Sequence, residues 1–490
     1  MEGSFDDDEP FIFRLNDSGT GPGLLVKVCA ERGWRMYPGY HSGLEERWNL
    51  WWKTSAFPAA SYKTLGDWQF MNHIPKGGSI CRKDNLSRLL RCMKRIYGAV
   101  YDFSPPCYHL PLEYAKLVSE CSRLRRDENG AGANVVWIHK PVAQSQGRGI
   151  FLFRSLCEMN CGTSAVVQRY IERPLLIAGY KFDLRLYVCV PGYRPLTAYM
   201  YAEGLARFGC KWTLTQVRKA LIGRWGAAEW VVWQRIRALV TLTLLAQATG
   251  TPPARNCFEF YGFDVLLDDC LKPWLLEVNL SPALASDCEA DVVVKQPMLH
   301  ELFDLLGLPM KHTGLAKLKA PPPPTPLTNR QVIVTHDSCS SEEENNGGSR
   351  ARTRSAGRRT ARPRRRRALP LHCVTLAGPG ATTNTPPPTP PNGVPEKEKI
   401  QESAEKPKEV HGVRFKTDTS SEADVQLPVE DVRESVAQVS KFVRAAREVS
   451  REYGKDTSGP RDASRDAVFE EALRKKLDFG PHFQVWLPPF

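Results

Sequence analysis

Residues 272–284, KPWLLEVNLSPAL, read as a buried strand interrupted by two polar residues. Leu275, Leu276, Val278 and Leu280 suit a core strand, whereas Glu277 and Asn279 do not. Side chains alternate along a strand, so Glu277 and Asn279 share one face and Leu276 and Val278 the other. The preceding apolar run, CFEFYGFDVLLDD, carries Asp264, and DDCLK at 268–272 reads as a tight turn. With Cys270 and Leu271 as the loop, Asp269 pairs with Lys272. The same register sets Asp264 opposite Glu277 and Gly262 opposite Asn279. Three oxygen-bearing side chains then meet on one face beside a bare glycine. Carboxylates this close do not both stay ionised without a cation. Hard oxygen donors with no His or Cys among them suit Mg²⁺, which takes one or two carboxylates and fills its shell with water and phosphate oxygens. The plainer reading, an edge-strand surface glutamate, sits poorly with the apolar flanks of Glu277.

A Mg²⁺ site of this kind calls for a phosphate site. WIHKPVAQSQGRGIFLF, residues 137–153, offers one. An apolar strand leads into Lys140, and the loop Gln146, Gly147, Arg148, Gly149 precedes a second strand at 150–153. Glycines let backbone N–H groups approach phosphate oxygens closely, and Arg148 can lie over them. The loop is not a Walker P-loop, and a glycine-rich hairpin without a ligand is an equal reading. In GYKFDLRLYV, Lys181, Asp183 and Arg185 alternate with Phe182, Leu184 and Leu186, so three charges line one face of an apolar strand. This face is either exposed or the wall of a cleft with Arg185 as a fork for phosphate or carboxylate.

The rest of the chain sets limits on this chemistry. Of 490 residues 42% are hydrophobic and 12 are tryptophan, enough for a sizeable core. The net charge of +13 is concentrated in residues 350–367, RARTRSAGRRTARPRRRR, whose ten arginines and no acids supply +10 of it. The global charge therefore says little about a folded site. The 14 cysteines include no C-x-x-C pair and no zinc spacing, which points to a reducing compartment. The N-terminus, MEGSFDDDEPFIF, is acidic and lacks a signal-peptide pattern. The longest apolar segment, residues 230–249, contains Gln234, Arg235 and Arg237 and reads as a core helix, not a membrane span.

Strand and helix signals alternate over residues 1–310: strands at FIFRL, NVVWIHKP, TSAVVQRYI, KFDLRLYVCV and PLTAYMYAEG, and helices at GLLVKVCAERGW and over 229–249. This order implies an α/β or α+β fold. Proline, Ser/Glu and Arg runs follow, and such composition at 315–425 reads as disordered. Two helical stripes close the chain: Val432, Val436, Val439 and Val443, then Val468, Phe469, Leu473 and Leu477. They belong to a tail and leave open whether they dock on the core, on a partner or on nothing. The resulting division is 1–85, a small N-terminal α/β subdomain; 86–165 and 166–312, a central and a C-terminal subdomain with the nucleotide site; and 313–490, a Pro/Arg-rich tail with two short helices.

Five blocks in order, HKPVAQSQGRGIFLF, RYIERPLLIAGYKFDLR, YAEGLARF, CFEFYGFDVLLDD and KPWLLEVNLSPAL, resemble the tubulin tyrosine ligase-like proteins, and most of all their glutamylase branch. The resemblance covers about residues 45–310 and implies an ATP-grasp fold gripping Mg-ATP. It implies that Lys140 and residues 146–149 hold phosphates, that Gln168, Tyr170 and Ile171 form the adenine hinge, and that Lys181 and Asp183 line the nucleotide pocket. Lys83, in CRKDNL, matches a further nucleotide-contacting lysine. Arg185 and Arg207 face the reacting carboxylate and the incoming amino acid, with Lys181 and Arg185 offsetting charge on the transferring phosphoryl group, and Asp264, Glu277 and Asn279 bind Mg²⁺. The implied reaction is ligation of free glutamate to glutamate side chains of tubulin tails through an acyl phosphate, in the cytoplasm and on the cytoskeleton: microtubules, cilia, flagella or basal bodies.

One departure stands out. After GLARF the family continues into a His-Leu-Thr-Asn strand; here Phe208, Gly209 and Cys210 lead directly to KWTL, and no such tetrapeptide occurs in the chain. The rival expectation is therefore a catalytically weak relative that binds microtubules. Glycylase and tyrosine ligase activities are alternatives within the family. The Arg run suits an acidic tubulin tail, a nuclear-import signal or nucleic acid equally, but no nucleic-acid-binding motif accompanies it.

Overall fold

The computed structural model describes residues 10–39, 47–126, 135–142, 148–159, 164–310, 313–314, 432–453, 463–477, 485 and 487–489. Two units divide the chain: Met1–Pro321 together with Val410–Phe490, and Pro322–Glu409. All described residues belong to the first. Residues 315–425, with the Arg run, and Gln146 and Gly147 lie outside the described residues.

Near the N-terminus β1 (Ile12–Leu15), β2 (Arg35–Met36), β3 (Leu50–Trp52) and β4 (Phe70–Met71) form a parallel sheet in the order β2-β1-β3-β4, with α1 (Gly23–Glu31) between its first two strands. Helix α2 (Lys83–Tyr97) leads to an antiparallel sheet of β5 (Cys107–Leu110), β6 (Trp137–Pro141), β7 (Phe151–Phe153) and β8 (Ala165–Arg169), ordered β5-β8-β6-β7. Leu117, Cys121 and Leu124 of α3 (Tyr114–Arg126) pack in one cluster with Trp137, Phe153 and Val167 of that sheet. A short hairpin, β9 (Leu176–Ile177) and β10 (Tyr180–Lys181), follows.

The sheet that carries the site is antiparallel: β11 (Asp183–Tyr193), β12 (Leu196–Arg207), β13 (Lys211–Thr213), β14 (Glu259–Leu267) and β15 (Pro273–Asn279), ordered β13-β12-β11-β14-β15. Helices α4 (Leu214–Trp225) and α5 (Ala228–Ala248) precede β14, and α6 (Glu289–Leu305) follows β15. Strand β14, interior to the sheet, is buried at all nine positions, as the apolar runs on both its faces require. Leu184, Leu186 and Val188 share a core with Phe263, Val265 and residues of α5. The intervening Tyr187 and Cys189 join Phe260 and the Val294, Met298 and Leu302 side chains of α6. Helix α6 thus covers the Tyr187 end of the second face; Asp183, Arg185 and Asp264, two residues apart in each strand, continue that face beyond it.

Glu277 is opposite Asp264 and Asn279 opposite Gly262, as the sequence predicts. The turn differs. Asp268, not Asp269, meets Lys272, closing a three-residue loop in which Leu271 takes a positive φ of 59°. The Asp268 carboxylate accepts from the Cys270 and Lys272 N–H groups at 3.0 and 2.8 Å and fixes that loop. A bulge between Leu275 and Glu277 restores the register: Val265 pairs with Leu275 but Asp264 with Glu277. The extra residue, Leu276, is half-buried, while Leu275 and Val278 both enter the core. Leu276 therefore does not share the core face with Val278, because the bulge breaks the alternation.

The C-terminal stripes form α7 (Val432–Tyr453) and α8 (Ala463–Lys476), and both pack on the body formed by the preceding elements. The first spans 22 residues and is not short. Val436 and Val439 join the core over α5, and Phe442, Ala446, Val449, Phe469 and Leu473 enclose Trp230. Beside them the buried Arg218 donates to Glu229 at 2.8 Å and Asp466 at 2.5 Å, and Arg465 donates to Glu229 at 3.1 Å. Among the described residues no helix is long and apolar enough to cross a membrane.

Candidate functional site

Three adjacent strands present one row. Arg185 of β11 is the register partner of Asp264 of β14, which is the partner of Glu277 of β15. The buried Asp264 carboxylate accepts from Arg185 Nε at 2.5 Å, Arg185 Nη2 at 3.0 Å and Arg207 Nη2 at 2.7 Å. Arg207 also donates to Asp183 through Nε, at 3.1 Å, and through Nη2. Burial pushes the Asp264 carboxyl up, but the two guanidiniums outweigh it and hold the group below its ordinary range. Burial likewise acts to lower Arg207, and its bonds to Asp183 and Asp264 raise it above its usual value. Gly262 is required beside this row. A Cβ there would stand 2.8 Å from Pro282 Cβ and 3.0 Å from Arg185 Cδ.

The Asn279 amide lies 3.4 Å from each of the Gly262 carbonyl, Asp264 Oδ2 and Glu277 Oε1. Amide oxygen and nitrogen are interchangeable by a flip, so carboxylate, carbonyl and amide oxygens converge on one small space. This donor set fits a hard divalent cation. It brings together all three residues read from the sequence as metal ligands.

The opposite wall comes from β6 and β8. Lys140 Nζ donates to Gln168 Oε1 at 2.8 Å. Both residues line one narrow cleft with Lys83, Ser87, Leu276 and Glu277. Burial depresses the Lys140 ammonium to about 8; Glu277 opposes that shift, while Lys83 and Lys181 add to it. Lys83, the first residue of α2, lies 3.7 Å from Glu277 Oε2. Lys181 donates to the Tyr170 hydroxyl at 2.8 Å and sits 4.6 Å from that ring's centroid. Tyr170 and the half-buried Ile171 directly follow β8. Arg148 and Gly149 are exposed in the turn before β7, with Gly149 at φ 67°. Lys140 of one sheet and Lys83 of α2 thus share the cleft with Glu277 of the other sheet.

Three neighbours, Lys211, Asp287 and Asp291, are not marked by the sequence pattern. Lys211 of β13 is the register partner of Arg207, and its amino group binds Asp291 at 2.5 Å and Asp287 at 3.3 Å. The signal available was Trp212, whose packing against the core puts Lys211 on the other face.

Against known families, the sequence model of the tubulin-tyrosine ligase family matches residues 61–211 and 209–314, more than half of the chain. The chain belongs to the tubulin-tyrosine ligase family. It is 38% identical over 339 residues to the probable tubulin polyglutamylase TTLL2 of Homo sapiens, covering 61% of this chain and 56% of that protein. Tubulin polyglutamylase TTLL5 of Mus musculus is 33% identical over 53% of this chain and 23% of its own length. The probable alpha-tubulin polyglutamylase Ttll1 of Tetrahymena thermophila is 30% identical over 58% of this chain and 83% of its own. The chain spans about half the length of the first of these relatives. Their names agree with the resemblance to the glutamylase branch, and the mixed α/β sheets agree with the expected fold class. The two matched segments overlap at residues 209–211, where the chain turns from β12 into β13.

Proposed function

We propose that this chain is an ATP-dependent ligase that joins the amine of free glutamate to glutamate side chains in the acidic tails of tubulin. One juxtaposition carries the reading: Glu277, at the end of the row Arg185–Asp264–Glu277, lines a cleft together with Lys140 and Gln168, in a chain related to proteins named tubulin polyglutamylases. A carboxylate is a poor electrophile. In the proposed reaction an acceptor carboxylate oxygen attacks the γ-phosphorus of ATP and ADP leaves. The glutamate amine then attacks the acyl carbon and loses a proton as phosphate departs. No enzyme nucleophile is needed.

The residues divide accordingly. Lys140, Arg148 and the 146–149 backbone bind phosphates; Gln168, Tyr170 and Ile171 hold the base; Lys83, Lys181 and Asp183 line the nucleotide pocket. Asp264, Glu277 and Asn279 would hold Mg²⁺, which when bound offsets the charge of the phosphates. Arg185 and Arg207 are held on Asp264 through Nε or Nη2, which aims each guanidinium and leaves Nη1 for a substrate carboxylate. Their fixed charge costs no reorganisation as negative charge develops. Action on tubulin places the chain on microtubules, including those of cilia, flagella or basal bodies.

A second reading, a microtubule-binding relative with weak turnover, rests on the absence of a His-Leu-Thr-Asn segment after Phe208. Phosphate release separates the two. The ligase releases phosphate from ATP only when both glutamate and microtubules are present. Tight ATP and microtubule binding without such release would sink the ligase reading and leave the binding one.

A further inference from the structure

Beyond Arg207 the cleft wall continues into an ion-pair cluster to which no role has yet been given. Arg207 and Lys211 are directly opposed on β12 and β13, so their side chains leave the same face with Cβ atoms about 5 Å apart. Only Phe208, Gly209 and Cys210 separate them, which forces this pairing. Across from Lys211 lies the segment that leaves β15 after Asn279 and enters α6.

The two carboxylates on Lys211 differ in kind. Asp291 is fully buried, and besides Lys211 it is bound by Lys295 at 2.7 Å and by the Asp287 N–H at 3.1 Å. It is a fixed anchor. Asp287 is exposed and meets Lys211 at 3.3 Å. A long ion pair at the rim contributes little to stability, and each partner can exchange the other for a ligand group of the same charge.

From this we infer that Lys211 and Asp287 form a recognition pair for a free α-amino acid. Lys211 takes its α-carboxylate beside Arg207, and Asp287 takes its α-ammonium. A zwitterion inserted between them replaces one ion pair by two, with no change in net charge. The inference rests on the ligase reading for the use of the bound amino acid as the donor, but binding itself does not depend on that reading.

The test uses the full chain with Mg-ADP and isothermal titration of L-glutamate, glycine and L-tyrosine. The wild type binds at least one of them. Lys211→Met and Asp287→Asn each weaken that binding about 10- to 100-fold, the range for a hydrogen-bonded charge. Lys211→Arg retains it within a few-fold, and Mg-ADP affinity is unchanged throughout. Asp287 is exposed, so Asp287→Asn decides the matter should Lys211→Met fail to fold. Absence of amino-acid binding by the wild type, or equal binding by Asp287→Asn, overturns the inference. A chain that binds glutamate without transferring it to microtubules contradicts the ligase reading alone. A chain that transfers glutamate with the same KM for glutamate in wild type and Asp287→Asn contradicts the recognition pair alone.

Discussion

Phe442→Ala tests whether the C-terminal helices belong to the folded body. The Phe442 ring is 1% exposed, in a cluster with Trp230, Ala446 and Phe469. The Arg237 guanidinium lies 5.0 Å from its centroid, and burial depresses that arginine to about 10. Truncating a buried phenylalanine to alanine costs about 3–5 kcal/mol, transfer and cavity together. The cation–π contact with Arg237 lies within that range and is not added to it. At about 1.4 kcal/mol per factor of ten, the opening equilibrium of α7 rises by roughly two to four powers of ten. Hydrogen exchange of the α7 and α8 amides, read by mass spectrometry, reports this directly. Val468→Ala is the control: Val468 is 48% exposed, so its loss shifts stability by no more than about 0.5 kcal/mol. Wild-type α7 amides that exchange as fast as an unfolded chain, or equal protection in wild type and Phe442→Ala, would refute the packing.

Other predictions follow from the cleft. The proposed phosphate contact requires the charged form of Lys140, whose ammonium burial depresses to about 8. ATP affinity is therefore flat below pH 8 and falls about tenfold per unit above it, and Lys140→Met removes that slope; fluorescent-nucleotide titration from pH 7 to 9.5 checks both. Gly262→Ala drives a Cβ against Pro282 and Arg185 at a cost of about 1–3 kcal/mol; a urea melt gives the loss, and ligase activity drops further than stability because Arg185 is displaced. Arg218→Met leaves Glu229 with Arg465 and the Trp233 indole N–H, and Asp466 with Arg465, and costs about 3–5 kcal/mol in the same melt. The double variant Arg218→Met/Glu229→Gln recovers part of it.

The sequence made the site more legible than the frame around it. The Asp264–Glu277 pairing could be counted from two strands and a turn, although the loop was one residue longer and the Leu276 bulge cancelled the error. Alternation rules assume a regular pleat, so neither departure has a local signal. Helices α2, α3, α4 and α6 carry no clear sequence signal: α3 is strongly charged, and α6 contains Pro297 within its span. Lys83 came from the resemblance alone, and its 3.7 Å approach to Glu277 depends on where α2 starts. Arg185 and Arg207 were read as facing substrate, yet both also clamp Asp264, a contact across strands that one strand's pattern does not reveal. The C-terminal stripes were read as helical, but which surface they cover depends on the apolar face of α5 around Trp230.

The most direct measurement is incorporation of radiolabelled glutamate into microtubules by the purified full chain with Mg-ATP, beside Glu277→Gln. The ligase account predicts label in tubulin with wild type and its near-complete loss in the variant, with microtubule binding retained. Equal label with both, or none with either while ATP remains bound, contradicts it.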